Sequence, residues 1–211
     1  MKRSLNGWLT YIGSISDKAM DLGLSRVKSA GAILDVLKLP SRVITVTGTN
    51  GKGSTTWYLG AVLERLGYTV DIYNSPHLLR FNERILIRGH EVADDVLTDA
   101  FEKTDEAMRK AGVALTFFEF TTLAALLIFK NDAPDFVILE IGLGGRLDAT
   151  NAVDSDAGIV VSIGLDHTGI LGNTVEDIAY EKSCIYRKNH PAVCSQENPP
   201  RTLIENSAVI G

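Results

Sequence analysis

A glycine-rich segment after a run of β-branched residues carries the side chains in this chain most suited to chemistry. Residues 43–47 form the apolar run, and the segment that follows contains Gly48, Thr49, Asn50, Gly51, Lys52, Gly53, Ser54 and Thr55. Glycines let backbone N–H groups approach phosphate oxygens, a lysine adds positive charge, and a hydroxyl can bind Mg²⁺. The segment therefore predicts a nucleotide-phosphate loop between a strand and a helix.

The match to the standard P-loop pattern is incomplete. With Gly51 and Lys52 as the glycine–lysine pair, Val46 stands where the first glycine belongs and Gly53 stands where the hydroxyl belongs. An ordinary glycine turn is the alternative. It leaves a lysine and hydroxyls at a helix N-terminus without a packing role, so we favour the phosphate loop.

Apolar runs alternate with stretches of helical periodicity along the whole chain. Strands are predicted at 42–47, 69–73, 135–141, 157–163 and 191–195, and helices at 5–13, 24–37, 54–66, 93–111, 119–130 and 174–187. In the helix after the glycine loop, the apolar face is predicted to contain Leu59, Val62, Leu63 and Leu66. Near-continuous apolar strands between helices predict an α/β fold with a doubly wound, mostly parallel sheet.

Polar residues stand at the ends of four predicted strands. Lys52 and Ser54 follow the first strand, Ser75 follows the second, Glu140 ends the third, and His167 follows the fourth. Ligands of open α/β sheets bind outside the carboxyl ends of the strands. We therefore expect these side chains, far apart in sequence, to meet at one edge of the sheet.

Several of these residues also have a structural interpretation. Glu140 can form a salt bridge with Arg146 instead of binding a metal, and His167 can be an ordinary structural histidine. Lys182 fits a solvated position on a helix. The aromatic segment 116–120 fits the protein core as well as a wall for a flat ring.

Two further segments also have two possible interpretations. Gly144, Gly145 and Arg146 lie in a second glycine-rich stretch, which can form either an anion-binding nest or a tight turn. The segment after Ser75 can equally be a site loop or a plain surface loop. It contains Arg80, Asn82, Glu83 and Arg84.

Composition limits the classes of protein. The chain has 211 residues, 45% of them hydrophobic and 22% charged, with a net charge of −5, which suits one large domain or a domain and a half and argues against a nucleic-acid surface. No apolar run is long enough for a membrane span, and the N-terminus does not resemble a signal peptide. We expect a cytoplasmic protein with Cys184 and Cys194 reduced.

Together these motifs resemble those of the folylpolyglutamate synthase/dihydrofolate synthase family, which is related to the Mur ligases. The resemblance is carried by residues 48–54 (GTNGKGS), 75–78 (SPHL), 140–151 (EIGLGGRLDATN) and 165–167 (LDH). It extends over nearly the whole chain, from the DLGL stretch at 21–24 to Lys182. The short glycine loop that departs from the standard pattern has the form found in this family.

The resemblance implies an ATP-dependent amide ligase on a P-loop NTPase-like domain of the Mur ligase central-domain type. Such an enzyme joins L-glutamate to dihydropteroate, and in many members also to folates, through an acyl phosphate formed with ATP. It implies two Mg²⁺ sites, with Mn²⁺ as an alternative because imidazole is an unusual ligand for Mg²⁺. The implied partners are small molecules, not nucleic acid or membranes, and we expect a monomer.

Motif position then assigns residues to the nucleotide part of the site. The resemblance implies that ATP phosphates contact Asn50, Gly51, Lys52, Gly53 and Ser54. Ser54 would reach the first Mg²⁺, and Ser75, Glu140 and His167 would hold the second. The implied catalytic residues are Lys52, Glu140, His167 and Lys182, the last at the position where the family carries a carbamylated lysine.

The resemblance also assigns a binding surface for the pterin ring, with a stacking role for the phenylalanine in the middle of the aromatic segment, Phe118. The implied contacts are Asp21, Leu22, Gly23, Leu24, Thr116, Phe117, Phe118, Glu119, Leu147, Asp148 and Ala149.

Family members carry a second α/β domain that helps to bind adenine and glutamate. We therefore expect this chain to be a fragment, with N-terminal helices at 1–40, a truncated ATPase domain at 41–211 and the C-terminal glutamate-ligase domain missing. In this form it is expected to bind nucleotide poorly and to be inactive. The alternatives are a nucleotide-binding switch or docking domain without ligase activity, and a Mur-type ligase with another carboxylate substrate.

Overall fold

The structure, a computed structural model, describes residues 3–15 and 21–211. Residues 1–2 and 16–20 of the predicted N-terminal helical region lie outside this part. The described helices are α1 (Leu5–Ile15), α2 (Ser25–Leu34), α3 (Lys52–Arg65), α4 (Asp94–Ala111), α5 (Phe117–Asp132), α6 (Thr168–Leu171), α7 (Val175–Ser183) and α8 (Arg201–Ile210). The described strands are β1 (Arg42–Thr47), β2 (Val70–Tyr73), β3 (Ile85–Ile87), β4 (His90–Glu91), β5 (Phe136–Glu140), β6 (Ala157–Val160) and β7 (Ala192–Cys194).

The strands form one sheet in the order β4-β3-β2-β5-β1-β6-β7. The five strands from β2 to β7 in this order are parallel, as predicted. Their register places Val46 beside Glu140 and Thr47 beside Val160, so the carboxyl ends of β1, β5 and β6 lie level. The loops that follow these strands therefore leave the sheet along the same edge.

The segment after Ser75, predicted as a loop that holds Arg80, Asn82, Glu83 and Arg84, ends in regular structure that the sequence analysis does not predict. A 3₁₀ turn at Phe81–Arg84 leads into β3 and β4, which form an antiparallel hairpin on the edge of the sheet. The turn of the hairpin uses Arg88 at φ 50° and Gly89 at φ 78°, the left-handed backbone of a type I′ turn. Arginine is an uncommon residue for that conformation, so the sequence gives little signal for the hairpin.

Helices cover both faces of the sheet. The larger core lies between one face and helices α1, α2, α4 and α5, and α5 is buried almost throughout, from Phe120 to Phe129. Near β6, α7 and α8 form a second core around Val160 and Ile178. On the opposite face α3 packs against Val46, Ile72 and Ile138. The prediction of a doubly wound α/β sheet is thus confirmed.

The predicted apolar face of α3 is half wrong. Leu59 and Leu63 pack against the sheet, but the side chains of Val62 and Leu66 are 55% and 68% exposed. The helix instead approaches the sheet at Gly60, where an added Cβ would stand 2.7 Å from Ile72 Cδ1. This close approach turns the face with Val62 and Leu66 away from the sheet.

Two helices are absent from the predicted elements. The short helix α6 follows His167, and α8 follows the prolines at 199 and 200, which the sequence presents only as a linker-like stretch. In addition, α7 ends at Ser183, earlier than the predicted 187. Helix α8 packs on α7 through Leu203, and Asn206 donates a hydrogen bond to the Ser183 hydroxyl at 2.6 Å.

Two sequence-based exclusions can be compared with the structure. Across residues 3–15 and 21–211, no helix is both long and apolar enough to cross a membrane. Cys184 and Cys194 are both half-buried and both free, as expected for reduced thiols.

A buried carboxyl group lies beside the unpredicted hairpin. Asp71 in β2 is fully buried, and its Oδ1 accepts the backbone N–H of Arg88 at 3.2 Å. Its Oδ2 has no hydrogen-bond partner among the described residues. Burial and the nearby carboxylate of Asp132 raise the pKa of Asp71 to about 7. The folded chain therefore holds this group largely protonated at mildly acidic pH.

The raised pKa predicts how stability depends on pH. In the unfolded chain Asp71 ionises near pH 4, whereas in the folded chain it retains its proton up to about pH 7. The loss of folding stability caused by burying this group therefore grows between these pH values and is complete above them. We expect Asp71→Asn to raise the free energy of unfolding by roughly 2–4 kcal/mol at pH 8 and by much less at pH 4. Urea unfolding at both values tests this, and an equal effect at both would contradict it.

Candidate active site

The phosphate loop is held against the segment that follows β6. Thr49 donates its backbone N–H to Ser162 O at 2.8 Å, and the Ser162 hydroxyl accepts the N–H of Asn50 at 3.0 Å. An added Cβ on Gly48 would stand 3.1 Å from Ser162 N, so only a residue without a side chain fits closely there. The loop is thus a built turn, with Gly51 at φ 83° immediately before α3.

Helix α3 begins at Lys52, two residues earlier than predicted, so Lys52, Gly53 and Ser54 form its first turn. The backbone N–H groups of a first helical turn have no intrahelical acceptor and carry the positive end of the helix dipole. Lys52 Nζ donates to Gly48 O at 3.0 Å, which keeps its charge over the loop. This arrangement is suited to an anion with several oxygen atoms.

Glu140 stands at the end of β5 behind this helix turn. It is only 4% exposed, and its Oε2 accepts the backbone N–H of Ser75 at 2.9 Å. Burial raises the pKa of Glu140, while the hydrogen bond from Ser75 and the charge of Lys52 oppose that shift. A Cβ added to Gly53 would stand 3.8 Å from Glu140 Oε1, so the carboxylate faces the start of α3.

The salt bridge considered for Glu140 does not form. Arg146 instead pairs with Glu181 on α7, at 2.8 Å. Within the part of the chain that the structure describes, no oppositely charged side chain lies within ion-pair distance of Glu140. The carboxylate is therefore left for a ligand.

The second glycine-rich segment packs directly on α7. Thr47 donates its hydroxyl hydrogen to Gly144 O at 2.7 Å, which ties this segment to the end of β1. A Cβ at Gly145 would stand 2.5 Å from Glu181 O and 3.2 Å from the Cα of Lys182. Glycine is therefore required at 145 for the contact that brings Lys182 to the sheet edge.

Lys182 is buried, with 3% of its surface exposed, so its interpretation as a solvated helix lysine is wrong. Burial and the positive charge of Lys52 lower the pKa of Lys182 to about 8, although the carboxylate of Asp166 works in the opposite direction. Its side chain forms no hydrogen bond or ion pair with the described residues. A much larger fraction of this amine than of an ordinary lysine is consequently neutral and nucleophilic near neutral pH.

His167 immediately precedes α6 and has a left-handed backbone, at φ 48°. Its Nε2 lies 3.6 Å from Asp166 Oδ2, and its side chain is about half exposed. Together with Lys52, Gly144 and Lys182 it lines a narrow cavity of about 20 Å³ above the phosphate loop. The first and fourth strand ends thus meet here, as the sequence predicts.

A wider cleft of about 410 Å³ adjoins this cavity. Lys52 and His167 line both spaces, and Ser75 lines the wider one. Of the residues predicted for the pterin ring, the cleft is lined by Asp21, Leu22, Thr116, Phe118, Glu119, Asp148 and Ala149. Its volume is typical of a small-molecule site.

Four residues of the same prediction do not line this cleft. Gly23 and Leu24 precede α2, and Leu147 lies beside Asp148 without reaching the cleft wall. Phe117 points elsewhere and packs edge-on against Phe81, with ring centroids 6.1 Å apart. The contacts predicted for these four residues are not supported by the shape of the cleft.

The aromatic wall of the cleft is held in place by close packing. An added Cβ on Gly142 would stand 2.7 Å from the Phe118 ring, so this glycine gives the ring its space. Tyr73 packs behind Phe118 with ring centroids 6.1 Å apart, and its hydroxyl lies 3.2 Å from Thr121 Oγ1. The exposed face of Phe118 is therefore presented by a rigid support.

Two carboxylates of the cleft wall are used by the protein itself. Glu119 closes a capping box with Thr116 at the start of α5 and accepts two hydrogen bonds from Arg26, which also pairs with Asp21 at 3.0 Å. Asp148 is fully buried and accepts hydrogen bonds from Leu143 and Thr150. Burial raises the pKa of Asp148, and these donors oppose the rise. These residues shape the cleft by fixing its backbone.

Arg84 also lines the cleft, next to Ser75, although the sequence presents it only as part of a possible surface loop. Pro76, Gly142 and Leu143 are further lining residues outside the predicted set. The folding of residues 81–91 into a 3₁₀ turn and a hairpin brings Arg84 to the cleft, and that hairpin was not predicted. The signal that the sequence offers is the presence of Arg84 in the segment that follows Ser75 and Pro76.

The donor set fits a Mg²⁺ ion bound together with phosphates. No group of three or more His, Cys, Asp or Glu side chains that could hold a metal alone exists in residues 3–15 and 21–211. Glu140 Oε1 accepts no hydrogen bond from the described residues and faces Gly53 in the first turn of α3, the turn that also contains Ser54. Mg²⁺ is typically bound through one or two carboxylates, waters and substrate phosphates, which matches this arrangement.

Known proteins identify this arrangement. The Mur ligase middle domain family matches residues 46–209. The dihydrofolate synthase/folylpolyglutamate synthase of Haemophilus influenzae is 48% identical over 200 residues, which is 95% of this chain and 45% of that protein. The corresponding Escherichia coli protein is 45% identical over 201 residues, 95% of this chain and 47% of that protein.

Solved structures agree with the sequence relatives. Escherichia coli FolC in complex with DHPP and ADP has a TM-score of 0.95 and 44% identity, and the match covers 99% of this chain and 50% of that chain. A Yersinia pestis bifunctional folylpolyglutamate synthase/dihydrofolate synthase complexed with AMPPNP and Mn ion has a TM-score of 0.92 and 44% identity, with 99% and 50% covered.

The fold, the phosphate loop and the match to the family thus place the chain in the Mur ligase middle domain family. Within it, the chain belongs to the dihydrofolate synthase/folylpolyglutamate synthase family. The chain spans about half the length of the curated relatives it matches.

Proposed function

We propose that this chain provides the ATP-binding and pterin-binding part of an amide ligase that joins L-glutamate to dihydropteroate and extends folates with further glutamates. The observation that carries the proposal is the position of Lys52, which lines both the narrow cavity of the phosphate loop and the cleft with the aromatic wall. One side chain thus borders the space for a triphosphate and the space for a flat carboxylic acid.

The chemistry requires a carboxylate oxygen to attack the γ-phosphorus of ATP, which forms an acyl phosphate and releases ADP. The amine of glutamate then attacks the acyl carbon, phosphate leaves, and the amine loses a proton. The chain's contribution is to hold the two reactants in line and to offset negative charge. We assign this role to Lys52 and the first-turn N–H groups of α3, which face the phosphates.

The metal part of the proposal concerns Ser54, Ser75, Glu140 and His167. Ser54 would hold one Mg²⁺ and the other three residues would hold the second, with Mn²⁺ as an alternative ion. Such an ion offsets negative charge on the transferred phosphoryl group. The buried carboxylate of Glu140, without an ion-pair partner in the described part of the chain, supports this assignment. The Yersinia pestis relative crystallised with AMPPNP and Mn ion is consistent with it.

The pterin ring is assigned to the wall formed by Phe118, with Leu22 and Ala149 beside it. The cleft is walled on this side by apolar atoms, and Phe118 is supported from behind by Tyr73. The Escherichia coli relative in complex with DHPP and ADP supports a shared site for the two ligands. A nucleotide-binding switch without ligase chemistry would have no use for this second wall.

We propose that Lys182 is carbamylated in the working protein. Its pKa of about 8 leaves neutral amine available for carbon dioxide near neutral pH. The ammonium group first loses a proton, the neutral amine nitrogen then bonds the carbon of carbon dioxide, and this nitrogen loses a second proton, so that a cation becomes an anion beside Lys52. The product replaces two like charges by an ion pair, which supports the change on electrostatic grounds.

Carbamylation predicts a carbonyl signal that depends on one lysine. In ¹³C-labelled bicarbonate at pH 8, we expect ¹³C NMR of the chain to show a carbamate resonance that Lys182→Arg lacks. Lys188→Arg, at an exposed lysine a few residues along the chain, is the matched control and should retain it. An identical spectrum for the Lys182 variant and the unaltered chain would remove this assignment.

Ligand binding tests the proposed function. Calorimetric titration of this chain should detect dihydropteroate and, with the weak affinity expected of this form, Mg·ATP. Glu140→Gln should reduce the Mg²⁺-dependent gain in ATP affinity by at least about tenfold. The amide keeps the hydrogen bond from Ser75 but loses the negative charge. Glu106→Gln, at an exposed carboxylate on α4, is the control and should behave as the unaltered chain.

Two outcomes would count against the proposal. Binding of ATP without any binding of dihydropteroate would favour the switch or docking domain. Binding of a Mur-type nucleotide-sugar in preference to dihydropteroate would favour a ligase with another carboxylate substrate.

A further inference from the structure

Arg84 is an arginine in the wall of the cleft without a carboxylate partner. It is half-buried, and within residues 3–15 and 21–211 no Asp or Glu side chain lies within ion-pair distance of it. A guanidinium group carries five N–H donors, and the single side-chain hydrogen bond that Arg84 forms uses Nε. Its two terminal nitrogens therefore remain available to a ligand that lies in the cleft.

The guanidinium is nevertheless held in a fixed position. Its Nε donates to His77 Nδ1 at 2.8 Å. The group also lies over the rings of Phe81 and Phe117, at 5.5 and 5.8 Å from their centroids. The backbone is fixed as well, because Arg84 O accepts the N–H of Asn74 at 2.8 Å. A side chain that served only to pack would not need both a fixed orientation and unused donors.

Arg26 on another part of the cleft wall shows the contrasting case. Its guanidinium pairs with Glu119 at 2.9 Å and with Asp21 at 3.0 Å, so its charge is balanced within the protein. Burial raises the pKa of Glu140 and the charge of Arg84 opposes that rise, but the two side chains form no ion pair. The cleft therefore has an aromatic wall and, beside Ser75 and Lys52, a positive charge that is not neutralised by a contact.

We infer that Arg84 binds the carboxylate of the aromatic substrate and positions it for attack on the phosphate held at Lys52. The inference rests on the proposed function and adds to it the residue that recognises the reacting group. A molecule with a benzoate-type carboxylate at one end and a flat heterocycle at the other suits a cleft that is lined by both Arg84 and Phe118. An arginine fork is suited to such a planar carboxylate because it can donate two parallel hydrogen bonds.

A pair of ligands separates this role from simple packing. Calorimetry on this chain would compare pteroate with the analogue that has the same pterin–aminomethyl–phenyl skeleton but lacks the carboxylate. We expect Arg84→Gln to weaken pteroate binding by about 10- to 100-fold and analogue binding by no more than about threefold. Arg84→Lys, which keeps the charge but not the fork, should give an intermediate loss with pteroate only.

Arg80→Gln is the matched control, because Arg80 lies in the same loop, is 63% exposed and pairs with Glu91 and Asp94 outside the cleft. It should leave both affinities unchanged. An equal loss for the two ligands in both Arg84 variants, with thermal unfolding unchanged, would show that Arg84 only supports the wall. Failure of the unaltered chain to bind either ligand would overturn the proposed function together with this inference.

Discussion

The site depends on two ionisable side chains that the fold removes from water without giving either one an oppositely charged neighbour in contact. Glu140 and Lys182 are both almost completely buried, and neither forms an ion pair with the described residues. Burial of an uncompensated charge is costly, and it shifts both pKa values towards the neutral forms. The rest of the carboxyl edge can be understood as the structure that keeps these groups buried and close to Lys52.

Glycines provide much of that structure. Gly145 allows the second glycine-rich segment to contact the backbone of α7 at Lys182, and Gly48 allows the phosphate loop to contact the segment after β6. Thr47 joins the two loops through its hydrogen bond to Gly144 O. The two glycines allow close backbone approaches, so the positions of β1, β5 and β6 in the sheet directly fix the positions of the loops that form the site. A ligand with several negative charges would supply the interactions that the protein leaves open.

Much of this arrangement could be predicted from the sequence. Strands at 42–47 and 135–141 are predicted by short runs rich in β-branched and apolar residues. The polar residues after these runs identify Lys52 and Glu140 as neighbours once a parallel sheet is assumed. Thr116 and Glu119 stand at the spacing of a capping box, which agrees with the start of α5. The phosphate loop was recognisable because a lysine and hydroxyls among glycines have few structural uses.

Other features could not be predicted, for identifiable physical reasons. Burial of Lys182 depends on the contact between Gly145 and α7, which joins parts of the chain far apart in sequence. The hairpin β3–β4 uses Arg88 in a left-handed turn, where glycine or asparagine would be expected. Val62 and Leu66 lie on the outward face of α3 because the helix touches the sheet at Gly60. A contact at a glycine cannot be predicted from the periodicity of apolar residues. Arg84 was missed with the hairpin that places it.

The central claim is that Lys52, Ser54 and Glu140 surround one metal-bound triphosphate. The most direct measurement is a crystal structure of this chain with AMPPNP and Mn²⁺, with the metal located by its anomalous scattering. The account predicts the triphosphate at the first turn of α3 and a Mn²⁺ peak about 2.0–2.6 Å from a carboxylate oxygen of Glu140. A nucleotide bound away from Lys52, or ordered Mn²⁺ with no ion in contact with Glu140, would contradict it.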